Sequence, residues 1–153
     1  MDKHILERLE KAGLVLPPAL PAKGLYHSVV ETNGELYVSG LGPIVDGKPL
    51  TGVVGQDIDL PNAKHAARIT ALLILAAVEQ YCGLQNILRC TRMTVYVKAD
   101  ERFVRHPEVA DGASEVLRDV FGENLLPARS AIGVYTLPFA IPVEIDSVFQ
   151  LKC

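Results

Sequence analysis

A chain of 153 residues with a net charge of −3 and a pI near 5.8 has room for one hydrophobic core. It has no basic face on which to neutralise phosphates, which excludes a nucleic-acid binder of the electrostatic kind. Its three cysteines, Cys82, Cys90 and Cys153, show no CxxC spacing, which excludes a disulfide scaffold and points to reduced thiols in the cytoplasm.

Hydrophobic residues make up 49% of the chain against 22% charged. That share implies either an efficient core or apolar surface buried between subunits, and the second reading favours an oligomer. The charged stretch from Met1 to Glu10 is not a signal peptide, and the longest apolar run, Ala71 to Val78, is too short to cross a bilayer. A soluble protein without membrane partners is expected. One domain is expected over residues 1–153, with an N-terminal helix and strap in 1–23 and the core in 24–153.

In chain order, a short helix is predicted from Asp2 to Ala12, with Ile5, Leu9 and Ala12 on one face and Gly13 as its stop. The Pro-rich segment Leu14 to Lys23 reads as an extended strap. Asn33-Gly34 between the segments Tyr26–Thr32 and Glu35–Ser39 predicts a hairpin, because both residues tolerate positive φ. A Gly- and Pro-rich loop from Gly40 to Gly55 leads to a long helix from Asp59 to Gly83, with Asp59 as cap and Pro61 in the first turn. Its middle is apolar on nearly all sides, as expected of a helix buried against a sheet.

Ile87 to Val97 alternates as a strand, with Met93, Val95 and Val97 on one face and Arg92, Thr94 and Tyr96 on the other. Arg89 and Arg92 read as solvated charges. A second helix is predicted from Asp111 to Phe121, with Asp111 as cap and Gly122 as stop. Strands Arg129–Leu137 and Val143–Leu151, joined by a turn between Pro138 and Pro142, end the chain. Two helices on one face of a mixed sheet satisfy this order, giving an α+β fold whose other face needs a cover.

The motif search returns no metal or cofactor site. His4, His27, His65 and His106 are scattered, Gly40 and Gly42 form a lone GxG, and neither a nucleophile elbow around Ser39 nor a P-loop is present. What remains is a constellation of single residues. Arg129 shares a strand face with Ala131, Gly133 and Tyr135, and the small residues would leave space beside a guanidinium suited to a carboxylate. The alternative is an arginine at a strand start that reaches solvent or pairs with an acid. Glu144, between Val143 and Ile145, is either a solvated edge carboxylate or a proton acceptor whose pKa partial burial raises. Tyr26 and Ser39, at the start of one hairpin strand and the end of the other, are candidate hydrogen-bonding groups, or simply core and turn residues.

The run Pro127-Ala128-Arg129-Ser130-Ala131-Ile132-Gly133-Val134, then Leu137-Pro138 and Val143-Glu144-Ile145-Asp146, resembles the signature of the RidA (YjgF) family. The spacing from Tyr26 to Ser39-Gly40, with Pro43 behind, is similar to that family's N-terminal half. Pro107 to Ser114 and the Pro-rich extension are similar to a YjgF-like subgroup. The resemblance implies a chorismate-mutase-like fold, a homotrimer with ligand clefts between subunits, and a small carboxylate-bearing metabolite as partner. It implies cofactor-free hydrolysis of enamine or imine intermediates to 2-oxo acids and ammonia. It assigns catalysis to Arg129 and Glu144 and substrate binding to Arg129, Tyr26 and Ser39, with Ser114 and Ala131 standing where relatives carry Asn and Cys. Those two residues and the turn Ser39-Gly40-Leu41-Gly42-Pro43 depart from the common pattern and bear on the substrate. The alternatives are a non-catalytic trimeric metabolite-binding regulator and a pathway-specific aminohydrolase for an aminomuconate-like substrate. A ribonuclease is disfavoured by the acidic charge.

Overall fold

The computed structural model describes residues 1–153. Helix α1 (Lys3–Lys11) begins where Asp2 accepts a hydrogen bond from the His4 N–H at 2.9 Å and ends two residues before Gly13, whose φ of +68° turns the chain. Ile5 and Leu9 are its buried stripe. Arg8 donates to the Val120 carbonyl at 2.8 Å, which anchors the helix to the far end of the domain core. The strap that follows has no regular structure, as its prolines demand.

Strands β1 (Val29–Thr32) and β2 (Glu35–Leu41) form the expected hairpin, with Asn33 and Gly34 at φ +50° and +77°. The first strand is shorter than its pattern indicated, because Tyr26 to Ser28 bend away. The loop read between Gly40 and Gly55 contains a second, two-residue-strand hairpin, β3 (Ile44–Val45) and β4 (Lys48–Pro49). Asp46-Gly47 turns it with the same pair of positive φ angles.

Helix α2 (Leu60–Cys82) runs between the predicted caps: Asp59 accepts from the Asn62 N–H at 3.0 Å, and Gly83 ends it at φ +82°. Strand β5 (Ile87–Lys98) follows. Helix α3 (His106–Phe121) starts five residues earlier than expected. Asp111 has the side chain of a cap, but Pro107 in the first turn and the buried Val109 and Ala110 carry the helix back past it. Strand β6 (Ala128–Val134) stops three residues short of Leu137, and a single 3-10 turn at Pro138–Ala140 leads to β7 (Val143–Leu151).

The main sheet is ordered β1-β2-β7-β5-β6, with β6 parallel to β5 and all other pairs antiparallel. Helices α2 and α3 cover one face. Against them the strands bury Leu36, Met93, Val95, Ile145 and Phe149 almost completely, each contributing about 1.5–3 kcal/mol of transfer free energy. The opposite face has no helix. It presents Val30, Tyr37 and Ile132, all more than two-fifths exposed, beside Arg92 and Asp146. Arg92 bonds the Ser130 hydroxyl at 2.8 Å. Arg89 is not simply solvated, since it bonds the Leu126 carbonyl at 2.6 Å and ties β5 to the approach of β6.

Candidate functional site

Strand register decides which side chains meet. Arg129 pairs with Met93, so it points to the helix-covered face, at the free edge of the sheet. There Nη1 donates to Asp111 Oδ1 at 2.7 Å and to Ser114 Oγ at 2.9 Å, while Nη2 reaches the Pro107 carbonyl at 3.3 Å. Ser114 therefore contacts the arginine. Asp111, read from the sequence as a cap, is the partner that reading missed. A sequence signal existed: an Asp and a Ser on successive turns of a helix, where neither is favoured.

Of the strand positions expected to leave space beside Arg129, Gly133 and Tyr135 are exposed and line, with His106, a cavity of about 800 Å³. Ala131 packs against the core. At Gly133 the imidazole of His106 lies over the backbone so closely that a Cβ there would sit 2.6 Å from Nε2. Gly133 has no room for a side chain because His106 lies over it.

Glu144 pairs with Tyr96 and lies on the helix-free face. It lines a cavity of about 620 Å³ together with Tyr26, Ser39, Tyr96, Phe139 and Asp146. The register of β2 against β7 shifts between Val38 and Leu41, and Gly40 sits in this bulge. A Cβ at Gly40 would come within 3.0 Å of the Glu144 carboxyl carbon, so the glycine makes room for the acid. Ser39 donates to the His27 carbonyl at 2.7 Å, and the Tyr26 hydroxyl accepts from the Lys23 N–H at 3.3 Å. Burial, reinforced by the negative charge of Asp146, raises the Glu144 pKa above its usual value. The Tyr96 hydroxyl donates to Asp146 at 2.9 Å.

The cavity mouth is shaped by backbone strain. Phe139 and Ala140 both adopt φ +57°, a conformation that costs a non-glycine residue about 1–3 kcal/mol. It is held by Lys98, whose buried ammonium donates to the Ala140 carbonyl at 2.8 Å, and by the Gly52 N–H at 3.1 Å. Lys23 from the strap lies 5.1 Å over the Phe139 ring. Tyr26, Ser39 and Glu144 are thus brought together, whereas Arg129, Ser114 and Ala131 stand on the other face of the same sheet. No group of three or more His, Cys, Asp or Glu side chains converges in a metal-binding arrangement. No helix is long and apolar enough to cross a membrane.

A mixed sheet in this strand order, with two helices on one face, defines an α+β protein of chorismate-mutase-like class. Residues 6–148 match the family model described as YjgF/chorismate mutase-like, to which an endoribonuclease activity is provisionally attached. The chain is 33% identical to Protein TCP17 of Trypanosoma cruzi over 152 residues, which cover 97% of this chain and 95% of that one. It is 36% identical to Atu1372 of Agrobacterium tumefaciens, a protein of unknown function whose crystal structure superimposes with a TM-score of 0.89 over 97% of this chain and 93% of that chain. A crystal structure from Shewanella oneidensis MR-1, provisionally called an endoribonuclease, is 29% identical with a TM-score of 0.91, covering 96% and 99%. The chain belongs to the RidA/YjgF family.

Proposed function

We propose that this protein is a hydrolytic deaminase of reactive enamine and imine intermediates, acting in clefts between the copies of a homotrimer. The observation that carries this reading is the state of Arg129. Three protein acceptors fix its guanidinium, yet Nε has no protein acceptor and the side chain is 23% exposed. A pre-oriented donor edge of this kind suits a carboxylate, and charge-assisted bonds of that type contribute about 1.5–3 kcal/mol each.

The Glu144 cavity is the complementary half. A carboxyl group with a raised pKa is placed to take a proton from an attacking water and return it to a departing nitrogen. Water adds to the carbon of the protonated C=N bond, the resulting carbinolamine loses ammonia, and a 2-oxo acid remains. Arg129 orients the substrate through its carboxylate, and Tyr26 and Ser39 border the reacting end. Since Arg129 and Glu144 occupy opposite faces of one sheet, a shared cleft calls for the β6 edge of one copy to meet the cavity of the next. The uncovered face, with Tyr37 and Ile132 exposed, supports such association.

Coupled assays with serine or threonine dehydratase test the reading. The protein is expected to speed 2-oxo acid release, Arg129→Ala to abolish the effect, and Glu144→Gln to reduce it by about a hundredfold or more. Absence of acceleration across several amino acid substrates would overturn it. Sedimentation equilibrium is expected to give three times the chain mass, and a monomer would remove the shared cleft.

A further inference from the structure

Asp111, Gly112 and Ser114 are all unfavoured in a helix interior, yet they lie together in the middle of α3. Gly112 has a packing reason, because a Cβ there would lie 2.1 Å from the Lys64 carbonyl oxygen. Asp111 and Ser114 cap nothing, and both turn to Arg129.

The donors and acceptors of this cluster can be counted. The two Nη1 hydrogens go to Asp111 and Ser114, and one Nη2 hydrogen goes to Pro107. The Nε hydrogen and the second Nη2 hydrogen have no protein acceptor. On Asp111, Oδ1 receives the arginine while Oδ2 accepts no hydrogen bond, and the side chain is 49% exposed. The Nε–H and one Nη2–H of Arg129, and Oδ2 of the Asp111 carboxylate bound to its Nη1, are therefore all left without protein partners around one guanidinium at the edge of the sheet.

The charges matter as much as the geometry. Asp111 offsets the positive charge of Arg129, so a ligand bearing only a carboxylate meets a nearly neutral pair. A ligand bearing a carboxylate and a protonated nitrogen one carbon apart finds an opposite charge for each end. We infer that Asp111 is a specificity-determining residue that binds the protonated nitrogen of an α-imino or α-amino acid whose carboxylate rests on Arg129. This rests on the carboxylate reading of Arg129 and adds to it the charge state the ligand must have at its α-nitrogen.

The test compares L-alanine with propionate, which share a skeleton and differ at that nitrogen, by calorimetric titration at neutral pH. Wild type is expected to favour alanine by roughly tenfold or more. Asp111→Asn keeps an oxygen acceptor for Nη1 and removes the charge. It is expected to bring the ratio close to one, by weakening alanine and strengthening propionate. Arg129→Ala is expected to lose both ligands. A wild-type ratio near one overturns the inference without recourse to any variant, and so does an Asp111→Asn protein that retains the wild-type ratio. If Arg129→Ala still loses both ligands in those cases, the carboxylate reading survives and only the role of Asp111 fails. If wild type binds neither ligand, or Arg129→Ala binds both unchanged, the carboxylate reading fails and the inference with it.

Discussion

Replacing Gly112 by Ala tests the packing on which the Arg129 cluster depends. A methyl group there would meet the Lys64 carbonyl oxygen at 2.1 Å, where ordinary contact begins near 3.4 Å, so α2 and α3 must separate locally by about 1.3 Å. The obstacle is backbone, which cannot rotate away as a side chain could. Both helices bury small residues, Ala63, Ala66 and Ala67 on α2 and Ala110 and Ala113 on α3, so a separation opens space that no long side chain refills. Helix propensity alone would favour Ala over Gly by about 0.8–1 kcal/mol. Overpacking costs about 1–3 kcal/mol and more where nothing can yield, so a net loss of about 2 kcal/mol is expected. For a domain of this size that lowers Tm by roughly 4–8 °C. Thermal and urea denaturation of the variant against wild type measures it. A variant as stable as wild type, or more so, would show that propensity prevails and that the two helices do not approach this closely.

Two further outcomes follow from burial. The raised pKa of Glu144 means that its protonated form is favoured by folding; this contribution is present in acid and is lost as pH rises through the folded pKa, above the usual 4.5. Glu144→Gln is therefore expected to gain stability relative to wild type between pH 4 and pH 8 in urea melts, and a constant difference would refute the raised pKa. Among the thiols, burial pushes Cys90 up to about 12, Cys82 is raised by burial and by nearby acids, and Cys153 is exposed. At pH 8 a disulfide reagent is expected to modify Cys153 at once, Cys82 slowly and Cys90 only on unfolding; a second rapid thiol would contradict the burial.

Much of the architecture was legible because its signals are local. Asn33-Gly34, the caps Asp59 and Gly83, and the alternation of Met93, Val95 and Val97 each act within a few residues of where they stand, through φ preference, capping and pleat. Local signals also misled where two competed. Asp111 resembles a cap, but Pro107 and the buried Val109 start the helix earlier. Asp46-Gly47 carries the same turn chemistry as Asn33-Gly34, yet the strands on either side are two residues long and too short to show alternation.

The sequence by itself determined the order of the five strands and two helices of the main layer, the two faces of the Ile87–Val97 strand and, through the spacing around Arg129 and Glu144, the family. Only the tertiary structure decided what those residues touch. The pairing of Glu144 with Tyr96, the placing of Arg129 beside Asp111, and their separation onto opposite faces all depend on strand order and register between segments far apart in the chain. No periodicity encodes such a pairing, because it is chosen by which apolar faces can be buried together, and a one-residue slip would turn each side chain to the other face.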